Sequence, residues 1–222
     1  GAFIYESKDQ GQNWVRVLSD TRTFVGAKSQ DKSLYSTSSY IYKSTDRGRN
    51  WEQGAPLNLT STYTRIEFSD SSTGLIAGNI AGILKYSTQM LRTADAGKNW
   101  FFANYWRDAS RVKLATTPID PSRLLALCVS KHTNSFGGLY LSDSDGYFWQ
   151  ALFTDTAKYS ELVQAQGFFN LVLSFLPYSK DDFYVGGVWL YRGSLHSDEF
   201  TPISNEVHVD MHDIKYNRFD GK

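Results

Sequence analysis

The sequence predicts an all-β protein built from repeated four-stranded antiparallel units, and three observations carry that prediction. The first is composition: 15% of the 222 residues are aromatic, with 14 Tyr, 14 Phe and 6 Trp among many Ser and Thr, residue types that fit a pleated, half-buried surface. The second is a short motif, Ser/Thr-x-Asp-x-Gly-x-x-Trp, that returns along the chain. The third is a strand, polar turn and strand that precede each copy of the motif from the second onward.

The motif first reads Ser7-Lys8-Asp9-Gln10-Gly11-Gln12-Asn13-Trp14, so Ser7, Asp9, Gly11 and Trp14 fill its defining places. The second copy places Ser44, Asp46, Gly48 and Trp51 there, and the third Thr93, Asp95, Gly97 and Trp100. A fourth keeps Ser142, Gly146 and Trp149 but has Ser144 where the acid belongs. In a tight hairpin the carboxylate and hydroxyl accept turn N–H groups, Gly supplies a positive φ without steric cost, and Trp folds back over the turn. Strands are expected just before each box, over Ala2 to Glu6, Tyr40 to Lys43, Gln89 to Arg92 and Gly138 to Leu141.

The second repeat runs from Thr23 to Lys28 through Ser29-Gln30-Asp31 into Ser33 to Ser36, and from Tyr63 to Phe68 into Gly74 to Gly78. It returns as Arg111 to Thr116 into Arg123 to Val129, and as Asn170 to Leu176 into Asp182 to Gly186. Together the two repeats make units of four strands, with box spacings near the ~40–50 residues of propeller blades. The expected division is a half blade at 1–19, blades at about 20–58, 59–105, 106–154 and 165–205, and the opening strand of a further blade at 206–222. Because open sheet edges invite wrong pairing, either the first and last pieces share one blade or more chain exists; two outer strands at one end and a single inner strand at the other favour a segment of a larger propeller. The fold class is therefore a β-propeller of four-stranded antiparallel blades.

The boxes resemble the Asp-box, or bacterial neuraminidase repeat, of sialidases, sortilin-type receptors and xyloglucan-cleaving glucanases. The stretch 160–220 is similar to secreted bacterial glycosyl-hydrolase-like repeat proteins in the order Gln166 to Leu171, Phe183 to Arg192 and His208 to His212. It departs from them at Gly193 to Phe200, which has no Gly or Trp in box register. The resemblance implies boxes on the blade periphery with a structural role. It also implies a secreted or cell-surface location and an extracellular protein or glycan as partner.

Twenty-three basic residues balance twenty-three acidic ones, so no overall field draws nucleic acid or anionic lipid. No apolar stretch approaches the ~20 residues that span a bilayer, and Gly1 to Tyr5 lacks the marks of a signal peptide, so any export signal is expected outside this stretch. Cys128, the single cysteine, sits in the apolar run Leu124 to Val129 and reads as a buried thiol. Phosphate loops, a Ser-His-Asp arrangement and paired CxxC zinc knuckles do not occur, and no cofactor is implied.

Three groups are candidates for binding or chemistry. Alternation on a strand would put His208, Asp210 and His212 on one face, as a hydrogen-bonded structural cluster, a ligand contact or a divalent-metal site. Asp210 and Asp213 are the acids nearest a glycosidase pair, the alternative function being a glycoside hydrolase. Tyr105 and Trp106, in the aromatic loop Phe101 to Asp108, are candidate stacking platforms for sugars. The interval Thr154 to Gln166 breaks the strand rhythm, with Tyr159, Leu162 and Val163 spaced for one short helix; such an insertion is expected on the binding face.

Overall fold

The computed structural model describes residues 2–20, 27–30, 33–37, 40–46, 48–56, 65–79, 87–203, 210–214 and 216. These form one two-stranded and four four-stranded antiparallel sheets. The strands β1 (Ala2–Glu6) and β2 (Val15–Asp20) pair alone. The second sheet holds β3 (Ala27–Gln30), β4 (Ser33–Thr37), β5 (Tyr40–Ser44) and β6 (Glu52–Pro56). The third holds β7 (Arg65–Phe68), β8 (Gly74–Asn79), β9 (Thr88–Thr93) and β10 (Phe101–Trp106). In the fourth are β11 (Ala109–Thr116), β12 (Leu124–Ser130), β13 (Phe136–Ser142) and β14 (Gln150–Phe153). The fifth comprises β15 (Val172–Phe175), β16 (Asp182–Gly186), β17 (Leu190–Ser194) and β18 (Ser197–Pro202).

Every four-stranded sheet is a meander in chain order. First strands of successive sheets pack side by side, β3 against β7, β7 against β11 and β11 against β15, which sets the sheets radially about a common axis as propeller blades. Two differences from the sequence reading are local. Ser29 and Gln30 pair with Leu34 and Ser33, so the strand runs to residue 30 rather than turning at 29. Phe101 to Trp106 is not a loop but the outermost strand β10, the second arm of the third box hairpin.

The apolar run of β12 shows why the blades stack. Leu124, Ala126 and Cys128 pack with Leu75, Met90 and Leu114 between the third and fourth sheets. The alternate residues Leu125, Leu127 and Val129 pack with Phe136, Phe183 and Val185 toward the fifth. A period of two thus divides one continuous hydrophobic run between two cores. Each fully buried Leu or Val contributes about 1.5–3 kcal/mol. Cys128 belongs to this packing, and burial pushes its thiol pKa up. The interval 154–166 forms a single 3-10 turn at Ser160–Leu162, with Tyr159, Leu162 and Val163 all buried against the outer core.

The boxes close as hairpin turns with one shared set of bonds. In the first, the Gly11 N–H donates to Ser7 Oγ at 2.7 Å, the Asn13 N–H to Asp9 Oδ1 at 2.8 Å, and Trp14 Nε1 to the Gly11 carbonyl at 2.9 Å. The second and third repeat these contacts through Ser44, Asp46, Gly48 and Trp51 and through Thr93, Asp95, Gly97 and Trp100. An Asn at the seventh place of each also donates its side-chain amide to the Asp carboxylate. In the fourth box Ser144 replaces the acid: the Phe148 N–H donates to Ser144 Oγ at 2.9 Å, while Ser142, Gly146 and Trp149 keep their bonds. Phe148 stands where the other boxes have Asn, so the amide is missing where its carboxylate partner is missing.

Boxes also join blades. The fourth box residue has positive φ, 58° at Gln10 and Ala96 and 52° at Asp145. Its N–H donates to a turn of its own sheet, Ala96 to Ser72 O at 2.9 Å and Asp145 to Ser122 O at 3.0 Å. Its carbonyl accepts from the preceding sheet, from Lys43 Nζ at 3.1 Å on Ala96 and from Arg92 Nε at 2.7 Å on Asp145. Lys43 and Arg92 occupy the same place, immediately before their own box. Leu141 holds that place in the fourth sheet, and the fifth sheet offers it no box, because β17 and β18 are joined by Leu195 and His196 alone.

Candidate functional site

A meander gives each blade two ends. The box turns and the first-to-second strand turns share one end, where Arg123 bridges Asp143 and Asp181 at 2.6 Å each. At the other end lie the second-to-third turns, 131–135 and 187–189, with the sheet-to-sheet connections 107–108 and 154–171. These loops are tied together: the Lys131 N–H donates to Asp108 O, the Gly167 N–H to Asn134 O, and Ser135 Oγ to Ser160 O, at 2.8–3.0 Å.

The long connection 154–171 displays two aromatic side chains at this loop end. Phe168 is 49% and Phe169 60% exposed, and Trp189 on the neighbouring loop is 40% exposed. His212 stands edge-on to Phe169, ring centroids 4.8 Å apart. The backbone beneath them is held by buried polar groups. Arg111, at the start of innermost strand β11, donates from Nη1 to the carbonyls of Gly167 at 2.9 Å and Phe169 at 3.2 Å. Asn170, fully buried, donates from Nδ2 to Gln166 Oε1 at 3.0 Å and to Asp210 Oδ1 at 2.7 Å. Two successive positive φ values, 52° at Gln164 and 48° at Ala165, turn the chain into this arrangement.

Asp210, Met211 and His212 join the same site by an unexpected route. Residues 210–214 are irregular, with Asp210 at φ 72°, so the strand alternation expected to align His208, Asp210 and His212 does not apply to the described part. The segment crosses the 187–189 loop instead: the Asp210 N–H donates to Val188 O and the Met211 N–H to Gly187 O. His208 lies outside the described residues, and among the described residues no three His, Cys, Asp or Glu side chains are grouped to hold a metal. Asp213 pairs with Lys113 of β11 at 3.6 Å. Asp210 and Asp213 are thus each engaged by a neighbouring side chain.

Trp106 is 8% exposed and packs between Tyr140 and Trp149, at centroid distances of 5.8 and 5.5 Å. It is a core residue whose edge reaches a cavity rather than an open stacking platform, because its strand turns it into the gap between the third and fourth sheets. Tyr105 points its hydroxyl to Ser87 Oγ at 3.1 Å. Both border a loop-end cavity of about 560 Å³ between these sheets, whose mouth carries Asp108 and His132. Asp108 pairs with Lys131 at 2.7 Å, and that hydrogen bond holds its carboxyl below the usual range. The sequence reading missed Phe168, Phe169 and Trp189 as site residues. Two adjacent Phe on one loop were the available signal, since consecutive residues cannot both face a core that lies on one side.

No protein-family model matches the chain, and no curated protein matches it. Among solved structures it is similar to an ancestral GH74 enzyme, with TM-score 0.67 at 11% identity, covering 93% of this chain and 29% of that one. It is also similar to the Niastella koreensis GH74 enzyme, with TM-score 0.59 at 16% identity, covering 89% of this chain and 34% of that one. YCF48 bound to D1 peptide gives TM-score 0.58 at 15% identity over 89% of this chain and 58% of that one. Each match spans less than two thirds of the neighbour's own chain. The likeness and the sheet arrangement define the class: this is an all-β chain with a propeller-like fold.

Proposed function

We propose that this chain is a secreted or cell-surface propeller module, carrying Asp-box hairpins, that binds an extracellular protein or glycan at its loop end. The observation that carries the reading is the pair Phe168 and Phe169, exposed with ring centroids 6.5 Å apart above a backbone fixed by Arg111 and Asn170, with Trp189 exposed on the neighbouring loop. Contiguous exposed aromatic surface marks interaction sites, and a preordered support lowers the entropic cost of binding. Among the structural neighbours one is YCF48 bound to D1 peptide and two are GH74 enzymes; an exposed aromatic pair suits a peptide or a glycan.

Binding is favoured over hydrolysis by the state of the carboxyl groups. A glycosidase acid needs a raised pKa beside a second carboxylate about 5–9.5 Å away. Among the described residues the carboxyls whose pKa is displaced, including Asp46, Asp95, Asp108 and Asp198, are all displaced downward. The test is an array of glycans and extracellular proteins probed with the wild type, Phe169→Ala, Trp189→Ala and Phe148→Ala. Central aromatic contacts are worth about 2 kcal/mol or more, so the first two changes should weaken binding at least about tenfold and the third, at the box end, should not. Binding indifferent to Phe169 and Trp189 would overturn the proposal. Turnover of a glycan, abolished by Asp210→Asn, would establish the glycoside hydrolase instead.

A further inference from the structure

Where the 210–213 segment crosses the loop end, one residue ties together the two loops that carry exposed aromatics. The Asp210 N–H donates at 2.9 Å to the carbonyl of Val188, next in sequence to Trp189. Its carboxylate Oδ1 accepts at 2.7 Å from Nδ2 of Asn170, next in sequence to Phe169. Asn170 is fully buried and gives its other amide hydrogen to Gln166 Oε1, so a side chain from beneath the surface is committed to holding this carboxylate in place. The backbone at Asp210 is left-handed, at φ 72°, a conformation that costs energy in a residue with a Cβ and that collects at functional sites. Asp210 is nevertheless exposed, and among the described residues its Oδ2 has no partner.

Charge around it has one sign. The stretches that build this surface, 159–171, 187–189 and 210–213, contain Glu161, Asp210 and Asp213 and, besides His212, no basic side chain. Asp213 is matched by Lys113 of β11 at 3.6 Å. Glu161, also exposed, accepts from the neutral amide of Gln164 at 3.0 Å. Arg111 lies beneath, 5% exposed, with its guanidinium turned to the Gly167 and Phe169 carbonyls. A partner therefore meets two exposed carboxylates, one of them held in place, on the surface that carries the Phe168 and Phe169 rings. Aromatic faces attract cations, and an ionised acceptor strengthens a hydrogen bond from a charged donor. Long basic side chains lay their stems on apolar surface while their heads reach an acceptor.

We infer that the loop end receives a Lys or Arg side chain of a protein partner, its cationic head on Asp210 Oδ2 and its stem along the Phe168 and Phe169 rings. The inference rests on the reading of this end as the binding face, and it adds the charge of what is bound there: a basic protein segment.

The test is a library of end-capped hexapeptides displayed on beads and selected with the labelled whole chain. Selected peptides should be enriched in Lys or Arg beside an apolar residue. Exchanging that Lys or Arg for Gln should weaken binding about three- to thirtyfold, the combined worth of a surface ion pair and a cation–π contact. Asp210→Asn should weaken the basic peptides by a similar factor and leave the Gln-exchanged peptides unchanged. Asn keeps an acceptor for Asn170 and tolerates the left-handed backbone, so this change removes little besides the charge. If it does not melt as the wild type does, Asp210→Gly, which adopts that backbone freely, takes its place. A selection without enrichment in Lys or Arg, enrichment in Asp or Glu, or basic peptides indifferent to the loss of Asp210 would overturn the inference. Neutral or acidic ligands whose binding depends on Phe169 would remove it while leaving the binding face standing. Ligands of every charge indifferent to Phe169→Ala would remove both.

Discussion

Removing the Arg92 side chain tests whether the boxes bind one blade to the next. Arg92 is 7% exposed; its Nε donates to the Asp145 carbonyl at 2.7 Å and its Nη1 to the Tyr147 hydroxyl at 2.9 Å. The guanidinium carbon also lies 4.0 Å from the centre of the Tyr147 ring. A hydrogen bond from a charged donor is worth about 1.5–3 kcal/mol and a partly desolvated cation–π contact about 0.5–2. These contributions overlap, so Arg92→Ala should cost about 2–4 kcal/mol. For a chain of this size each kcal/mol moves Tm by about 2–4 °C, which gives a fall of about 4–16 °C in differential scanning calorimetry. Arg92→Lys should recover part of the loss, because Lys43 makes the equivalent contact in the preceding sheet with one ammonium, at 3.1 Å to the Ala96 carbonyl. A Tm for Arg92→Ala within 1 °C of wild type, or no difference between the Ala and Lys variants, would refute the role assigned to this contact.

Other outcomes follow from the same geometry. Gly146→Ala combines a positive φ of 83° with a Cβ 2.7 Å from Leu75 Cδ2, so it should destabilise by about 2–4 kcal/mol in urea unfolding. Asp46 and Asp95 are held at about 2, below the ordinary 3.8, chiefly by the backbone N–H groups of Asn50 and Asn99. Because the folded pKa is the lower one, their contribution is complete above pH 3.8 and is lost as the pH falls toward 2. Urea midpoints taken from pH 5 to pH 2 should show that decline, and Asp46→Asn should flatten it. Rebuilding the fourth box with Ser144→Asp and Phe148→Asn should stabilise beyond the sum of the single changes by about 0.5–1 kcal/mol; strict additivity in a double-mutant cycle would contradict the pairing of acid and amide.

Much of the fold was legible because it is local. The box carries its own turn chemistry within eight residues, and Ala2 to Glu6 and Asp182 to Gly186 are strands with the limits their patterns suggested. The partnership of the box Asn with its Asp was present in the sequence as a shared absence, at Ser144 and Phe148. The site was less legible because it depends on contacts across the fold. Nothing near Arg111 in the sequence shows that its guanidinium reaches Gly167 and Phe169, more than fifty residues away. The Asp210 to His212 segment reads as a strand by alternation, yet the carbonyls of Gly187 and Val188 capture its N–H groups and bend it across a loop. Trp106 resembled an exposed platform until packing against Tyr140 and Trp149 claimed it for the core.

The claim that the loop end is the binding face is tested most directly by amide hydrogen exchange with and without the strongest-binding member of the array. Protection concentrated in 164–171, 187–189 and 210–213, with the box turns at 9–13, 95–99 and 144–148 unchanged, is the result this account predicts. Protection centred on the box turns, leaving the Phe168 and Phe169 loop exchanging as before, would contradict it.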